Sequence, residues 1–233
     1  MNDIRVICFD LDDTLWDLAP VIPRAEAALF AWYAEHYPQV TDNFSRADII
    51  LLRQSVAEEN PGLKHDLTVL RMLTLQRVAV VSGYAEGMAE EAFRVFQEVR
   101  NSVELYVDVL PGLRRLGEHY RLVTLSNGNA DLSVIGIDSL FETGFSARKL
   151  GFAKPDTRIF EVMCAQLGVL PVQVVHVGDH PQNDIAAAQQ AGMPAVWVNR
   201  TDNAWPLDDH EPDHVVGSLE ELADVFIKQV GTP

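Results

Sequence analysis

Two rhythms of hydrophobic and polar positions alternate along this chain. Residues 4–9 form an apolar run, broken only by Arg5, that stops at three carboxylates, Asp10, Asp12 and Asp13. A short apolar run with polar bounds is the pattern of a strand buried on both faces of a parallel sheet. The rhythm then changes. Residues 20–37 carry Ala27, Leu29, Phe30, Tyr33 and Ala34 at helical spacing and stop near Pro38. Residues 45–59 repeat the pattern with Ile49, Ile50, Leu52 and Val56, as do 66–81 with Leu67, Leu70, Leu73 and Val78. Residues 85–105 predict a fourth helix through Met88, Phe93, Phe96 and Val99. So long a stretch without a strand signal, residues 16–108, predicts an inserted α-helical domain rather than a crossover.

From Val109-Leu110-Pro111-Gly112 the chain re-enters a strand-and-helix rhythm. Strands are predicted at 121–125, around Phe145, and at 172–177 and 194–198. Helices are predicted at 113–120, at 156–167 behind Pro155, at 184–191 before Gly192, and at 219–230. Residues 199–213, rich in Asp, His and Pro, read as a surface loop. Strands alternating with helices imply an α/β fold, a doubly wound parallel sheet with right-handed crossovers. The core would comprise residues 1–15 and 109–233.

Composition narrows the partners. With 18 basic and 34 acidic residues the net charge is −16, and no Lys/Arg run offsets it, which argues against nucleic acid as a partner. A small anionic substrate is compatible only where the site supplies its own positive charge. Cys8 and Cys164 sit in apolar surroundings and read as reduced thiols. No signal-peptide-like segment precedes the first strand and no apolar run reaches the ~18 residues of a membrane span, so a cytoplasmic protein without membrane contact is expected.

The polar residues collect at strand ends: Asp10 and Asp12, Ser126 with Asn127, Lys154 before Pro155, and Gly178-Asp179 followed by Asn183-Asp184. A parallel sheet brings such positions to one rim. Alternation points Asp10 and Asp12 the same way and leaves Asp13 to tie down the following turn. Paired carboxylates call for a cation or a shared proton. Singly, each group has a plainer reading. Ser126 can cap a helix, Lys154 can be a solvated charge, and Gly178-Asp179 can be a tight turn. His176 reads as a core histidine, and His180 could flank the rim. Together they supply phosphoryl transfer to a carboxylate. Asp10 serves as nucleophile and Asp12 as acid and base. Ser126, Asn127 and Lys154 receive the phosphoryl oxygens. Asp10, Asp179 and Asp184 offer the hard oxygen ligands that Mg²⁺ prefers.

Asp-Leu-Asp-Asp-Thr at 10–14, Ser126, Lys154-Pro155 and Gly178-Asp179 through Asn183-Asp184 resemble the four motifs of the haloacid dehalogenase-like hydrolase superfamily. The resemblance spans nearly the whole chain. It implies a Rossmann-like core with a helical cap over residues 16–108, Mg²⁺ as cofactor, and Asp12 binding the metal through its backbone carbonyl. It also implies Asp184 in support of the metal, directly or through water. The dehalogenase branch lacks an acid at the position of Asp12, so the expectation is a phosphatase acting on a small phosphorylated metabolite, as monomer or homodimer. Residues 9–17, Pro20-Val21-Ile22, Leu52-Arg53-Gln54, His65-Asp66 and 126–130 are further similar to bacterial phosphatases for flavin mononucleotide and for a phosphorylated ribitylamino-uracil of riboflavin synthesis. A nucleotidase or sugar-phosphate phosphatase is the alternative. A dehalogenase, a phosphomutase and a phospho-accepting signalling domain are the more distant ones. Trp16, Arg53 and His65, with Arg24 and Arg71, are the expected cap residues for a planar, polar substrate.

Overall fold

A computed structural model describes residues 3–230. It divides into two compact units: one runs through Asp17, Glu104–Gly128 and from Gly136 onward, the other is Leu18–Val103 with Asn129–Ile135. The segment expected as insert, 16–108, is therefore trimmed at both ends, and the loop after the second strand joins the helical unit.

The first unit holds a six-stranded sheet of β1 (Val6–Phe9), β2 (Arg121–Ser126), β3 (Thr143–Ser146), β4 (Val174–Gly178), β5 (Ala195–Val198) and β6 (His214–Val216). All pairings are parallel and the order is β3-β2-β1-β4-β5-β6. This is the Rossmann-like, doubly wound sheet that the alternation implied. β1 is central, with Phe9 level with Thr124 on one side and Val177 on the other. The chain leaves β1 for β2 and β3, then crosses to β4, so the winding reverses at β1. Such a switch point opens a crevice at the strands' C-terminal ends. All four β1 residues are buried, as a strand covered on both faces requires.

The helical unit contains α1 (Val21–His36), α2 (Pro38–Asn43), α3 (Arg46–Glu59), α4 (Leu67–Val81) and α5 (Gly87–Arg100). Leu29, Tyr33, Leu75, Val78, Met88 and Phe96 build its core. Ser45 and Asp48 form a capping box at the start of α3, and Asp66 caps α4 by accepting from the Val69 N–H at 2.9 Å. Asn101 accepts from the Asp131 N–H at 2.9 Å, fastening the 129–135 segment to this unit.

The remaining helices are α6 (Val109–Gly117), α7 (Leu132–Ile135, in the helical unit), α8 (Ala147–Leu150), α9 (Arg158–Leu167), α10 (Ala187–Gln190) and α11 (Leu219–Val230). Two expectations need correction, and one strand, β6, carries no sequence signal. The fourth helix stops at Arg100, not 105, because Leu105 pairs in extended form with Trp16. The helix expected from 113 begins at Val109, since Pro111 lies in the first turn, where its missing N–H is not needed. β6 follows the 199–213 loop and is too short, at three residues, to show a period. Cys8 and Cys164 are buried and free, and the Cys8 thiol lies 3.4 Å from the Met163 sulfur. No helix among the described residues is long and apolar enough to cross a membrane.

α6 and α11 meet at Gly112, where an added Cβ would lie 2.6 Å from the Leu219 Cβ and 2.7 Å from its backbone carbon. Gly112→Ala is expected to destabilise by about 1–3 kcal/mol through overpacking. Gly62→Ala, with nothing within 4 Å, should stay within about 0.5 kcal/mol. Urea denaturation of both variants measures the contrast.

Candidate active site

β1 delivers Asp10 directly to the crevice, its N–H continuing the ladder to the Val177 carbonyl at 2.8 Å. The buried Lys154 ammonium meets Asp10 Oδ1 at 2.6 Å, Asp184 Oδ1 at 2.5 Å and the Leu125 carbonyl at 3.1 Å. Three ammonium protons thus face three acceptors, which is the condition for burying a lysine charge at low cost. Burial alone would depress the Lys154 pKa, but Asp10 and Asp184 outweigh it and the net shift is upward. Asp184 is likewise pushed up by burial, yet Lys154 and His176 hold it well below the usual carboxylate range. Asp10 moves the other way. Burial raises it well above its ordinary value, with Asp184 and Asp179 adding to burial and Lys154 opposing it.

Asp179 completes the group. Burial, then Asp184 and Asp13, push it up to about 7. Carboxylate oxygens of Asp10, Asp179 and Asp184 all lie within 4.8 Å of one another. Three hard oxygen donors so placed, two of them with raised pKa values, fit a divalent cation such as Mg²⁺, which would relieve their repulsion. The Asp12 side chain is not among them. The Thr14 hydroxyl lies 3.5 Å from Asp10 Oδ2 and 3.3 Å from Asp179 Oδ1.

Local sequence explains this placement. Gly178 lacks a Cβ, and one built there would lie 2.4 Å from Asp184 Cγ, so only glycine lets the Asp184 carboxyl tuck beneath the end of β4. Asp184 sits in the wide helical turn Pro181–Ala186 that runs into α10. The His180 N–H donates to its Oδ2 at 3.0 Å. The His180 ring is engaged by the turn itself. Its Nδ1 caps the turn, accepting from the Gln182 and Asn183 N–H groups at 3.2 Å each. Ser126 is buried, and its Oγ accepts from the Gly128 N–H at 2.9 Å, which leaves the hydroxyl proton to donate. Asn127, expected to contact phosphate, uses its amide elsewhere. It donates to the Lys154 carbonyl at 2.8 Å and accepts from the Lys154 N–H at 2.9 Å, bracketing that backbone.

One residue of the site, His176, carries no clear mark in the sequence, whereas Thr14 closes the Asp-Leu-Asp-Asp-Thr segment. His176 is fully buried with Nε2 2.9 Å from Asp184 Oδ1, so the residue that reads as a core histidine orients a site carboxylate. The available signal is its position two residues before Gly178, on the same face of the strand.

The expected substrate-selecting residues are placed differently. Trp16 is fully buried in the first unit and its indole Nε1 donates to Asp12 Oδ1 at 2.8 Å, so it offers no surface for a planar substrate. Within the helical unit, Arg53 and Arg71 both reach Glu26 Oε1, at 2.9 and 3.0 Å, and Arg71 stacks 3.4 Å above the Phe96 ring. Arg24 donates to the Ser102 carbonyl, and His65 is half-buried.

If the three carboxylates take a cation, Mg²⁺ is expected to raise the Tm progressively with concentration, because it binds only the folded state. Gly178→Ala, which must displace Asp184, should abolish that increment. Thermal scans of both proteins across a Mg²⁺ series give the result.

Comparison with known proteins identifies the family. The 5-amino-6-(5-phospho-D-ribitylamino)uracil phosphatase of Escherichia coli is 30% identical over 202 residues, covering 85% of this chain and 84% of that protein. The phosphoserine phosphatase of Thermus thermophilus is 34% identical over 150 residues, 60% of this chain and 59% of that protein. The solved structure of a 2-haloacid dehalogenase from Pseudomonas syringae pv. Tomato superposes with a TM-score of 0.91 at 38% identity, covering 97% of this chain and 99% of that one. Residues 4–192 match the description "haloacid dehalogenase-like hydrolase", a span that takes in all five of Asp10, Ser126, Lys154, Asp179 and Asp184, and the chain belongs to that hydrolase family.

Proposed function

We propose that this hydrolase is a Mg²⁺-dependent phosphomonoester phosphatase that works through a phosphoaspartate at Asp10. The observation that carries this reading is the buried Lys154 ammonium 2.6 Å from Asp10 with a second carboxylate, Asp12, two residues on. A nucleophilic carboxylate must meet a phosphate dianion, and only a fixed positive charge beside it makes that approach favourable. Asp10, Asp179 and Asp184 would hold the cation, with the Asp12 carbonyl as a further ligand. The bound cation adds to this charge neutralisation.

In this reading an Asp10 oxygen attacks phosphorus while the ester bond to the leaving alcohol breaks. Ser126 would donate to an equatorial phosphoryl oxygen, and Lys154 would turn the proton it shares with Asp10 toward another. The Asp12 carboxyl gives its proton to the departing oxygen, and as a carboxylate then takes one from the water that hydrolyses the acyl phosphate. The substrate we favour is flavin mononucleotide or the phosphoribitylamino-uracil. This choice is supported by the similarity to the Escherichia coli phosphatase that acts on the latter. Selection among phosphate esters is assigned to the helical unit, with Arg53 and His65 as the residues to test. A haloacid dehalogenase is the second reading, favoured by the Pseudomonas syringae structure at 38% identity. It would use Asp10 as nucleophile and leave Asp12 without a task.

Asp10→Asn is expected to abolish phosphate release, and EDTA to do so reversibly. Chloride release from a 2-chloro acid in EDTA, with no phosphate release in Mg²⁺, would establish the dehalogenase instead. In a panel of phosphomonoesters, flavin mononucleotide should exceed simple sugar phosphates in kcat/KM. His65→Ala or Arg53→Ala should raise KM for flavin mononucleotide while leaving nitrophenyl phosphate turnover nearly unchanged. Equal efficiency across the panel would remove the substrate assignment and leave the phosphatase.

A further inference from the structure

The Asp12 side chain accepts a hydrogen bond from a buried indole. After Asp10 the chain makes a single tight turn. The Leu15 N–H bonds the Leu11 carbonyl at 2.8 Å, and Asp13, at φ 61°, turns its N–H to the Trp16 carbonyl at 2.8 Å. This brings Trp16 back beside Asp12, and the indole Nε1–H donates to Asp12 Oδ1 at 2.8 Å. The turn is fastened from outside. Arg200 donates to the Thr14 carbonyl at 3.0 and 2.8 Å, pairs with Asp108 at 3.0 Å and stacks over Tyr106 at 3.9 Å. Leu105 pairs with Trp16 along the backbone. The indole is wholly buried, whereas Asp12 is half-buried.

A buried indole N–H needs an acceptor, and a backbone carbonyl would have served. Here the acceptor is the carboxylate that the proposed reaction uses to move protons. An indole donates only. It can neither take the proton from Asp12 nor accept one itself, so it constrains the carboxyl without becoming a second acid or base. We propose that Trp16 is the positioning residue for Asp12: its N–H fixes one carboxylate oxygen, so that the proton for the leaving alcohol comes from a single side-chain orientation. This role rests on the phosphatase reading. It differs from the substrate-stacking role that the sequence suggested, and from a packing role, which would be served by any buried ring.

The test separates the N–H from the ring. Trp16→Phe removes the donor and keeps an aromatic side chain. Site-specific replacement of Trp16 by benzothienylalanine keeps the bicyclic shape and puts sulfur where the N–H was, so the question is answered even if the smaller ring unfolds the protein. Single-turnover cleavage with Mg²⁺ is measured for an alkyl phosphate, whose alkoxide must be protonated, and for nitrophenyl phosphate, whose leaving group needs no proton. The donor-less proteins should cleave the alkyl ester about 10- to 100-fold more slowly, part of the ~10²–10⁴-fold that positioned proton transfer contributes, and nitrophenyl phosphate within about threefold of wild type. In an Asp12→Asn background, losing the N–H should cost less than about twofold on the alkyl ester, because the two groups act as one unit. Equal slowing of both esters, or a loss that multiplies in full with Asp12→Asn, overturns the role while phosphatase activity stands. Absence of phosphate release from any ester by the wild-type protein removes the phosphatase reading and this role with it.

Discussion

The contact between the Lys154 ammonium and the Asp10 and Asp184 carboxylates governs the rest of the site. An ion triad this deeply buried is stable only when every proton and lone pair has a partner, and breaking it by removing one member leaves an uncompensated charge. The surrounding features serve that condition. The Leu125 carbonyl takes the third ammonium proton, Asn127 brackets the Lys154 backbone, His176 and the His180 N–H each bond an Asp184 oxygen, and Gly178 makes room for that carboxyl. The same arrangement leaves Asp10 and Asp179 with raised pKa values, an unrelieved excess of negative charge that a divalent cation suits.

Much of this is legible in the sequence for a physical reason. In a parallel sheet the strand ends share one rim, so polar residues that close apolar runs are neighbours whatever their separation along the chain. Asp10 and Asp179 declare themselves that way, whereas Lys154, beyond α8, and Asp184, in the turn that runs into α10, are marked by the motifs they belong to. Partners that depend on side-chain direction across elements do not. His176 looks like a core residue because burial in a strand and service to a carboxylate leave the same local pattern. Asn127 suggests a phosphate contact because a strand-end amide carries no mark of which way it bonds. Trp16 falls with the insert because an aromatic near the boundary has no periodicity to assign it. The third and sixth strands show the other limit. β3, four residues long, is visible through Phe145, while β6, three residues long behind an irregular loop, leaves no pattern.

The two functional readings share Asp10 and Lys154 and differ in the group that the nucleophile displaces. An ester oxygen leaving as an alkoxide needs a proton, whereas a halide does not. The burial of a tryptophan so that its one polar atom meets Asp12 gives that carboxyl a fixed place in the loop, and a carboxyl without a proton to move would have no need of one. Both readings take Asp10 as nucleophile, and in the proposed phosphatase the second carboxyl with its support carries the reaction type. Neither says which alcohol leaves.

The central strand of the sheet is also the first to be made. β1 pairs with β2, on the far side of the whole helical insert, and with β4, later still. During synthesis it has neither neighbour, and its buried apolar residues must wait for most of the chain. The helical unit, contiguous over Leu18–Val103, has its own packing partners at hand much sooner. Local helical contacts form quickly and parallel pairing across long loops slowly. The inserted unit can therefore condense while β1 is still an unpaired apolar segment, and the carboxylate at its end acquires a site only when β4 arrives.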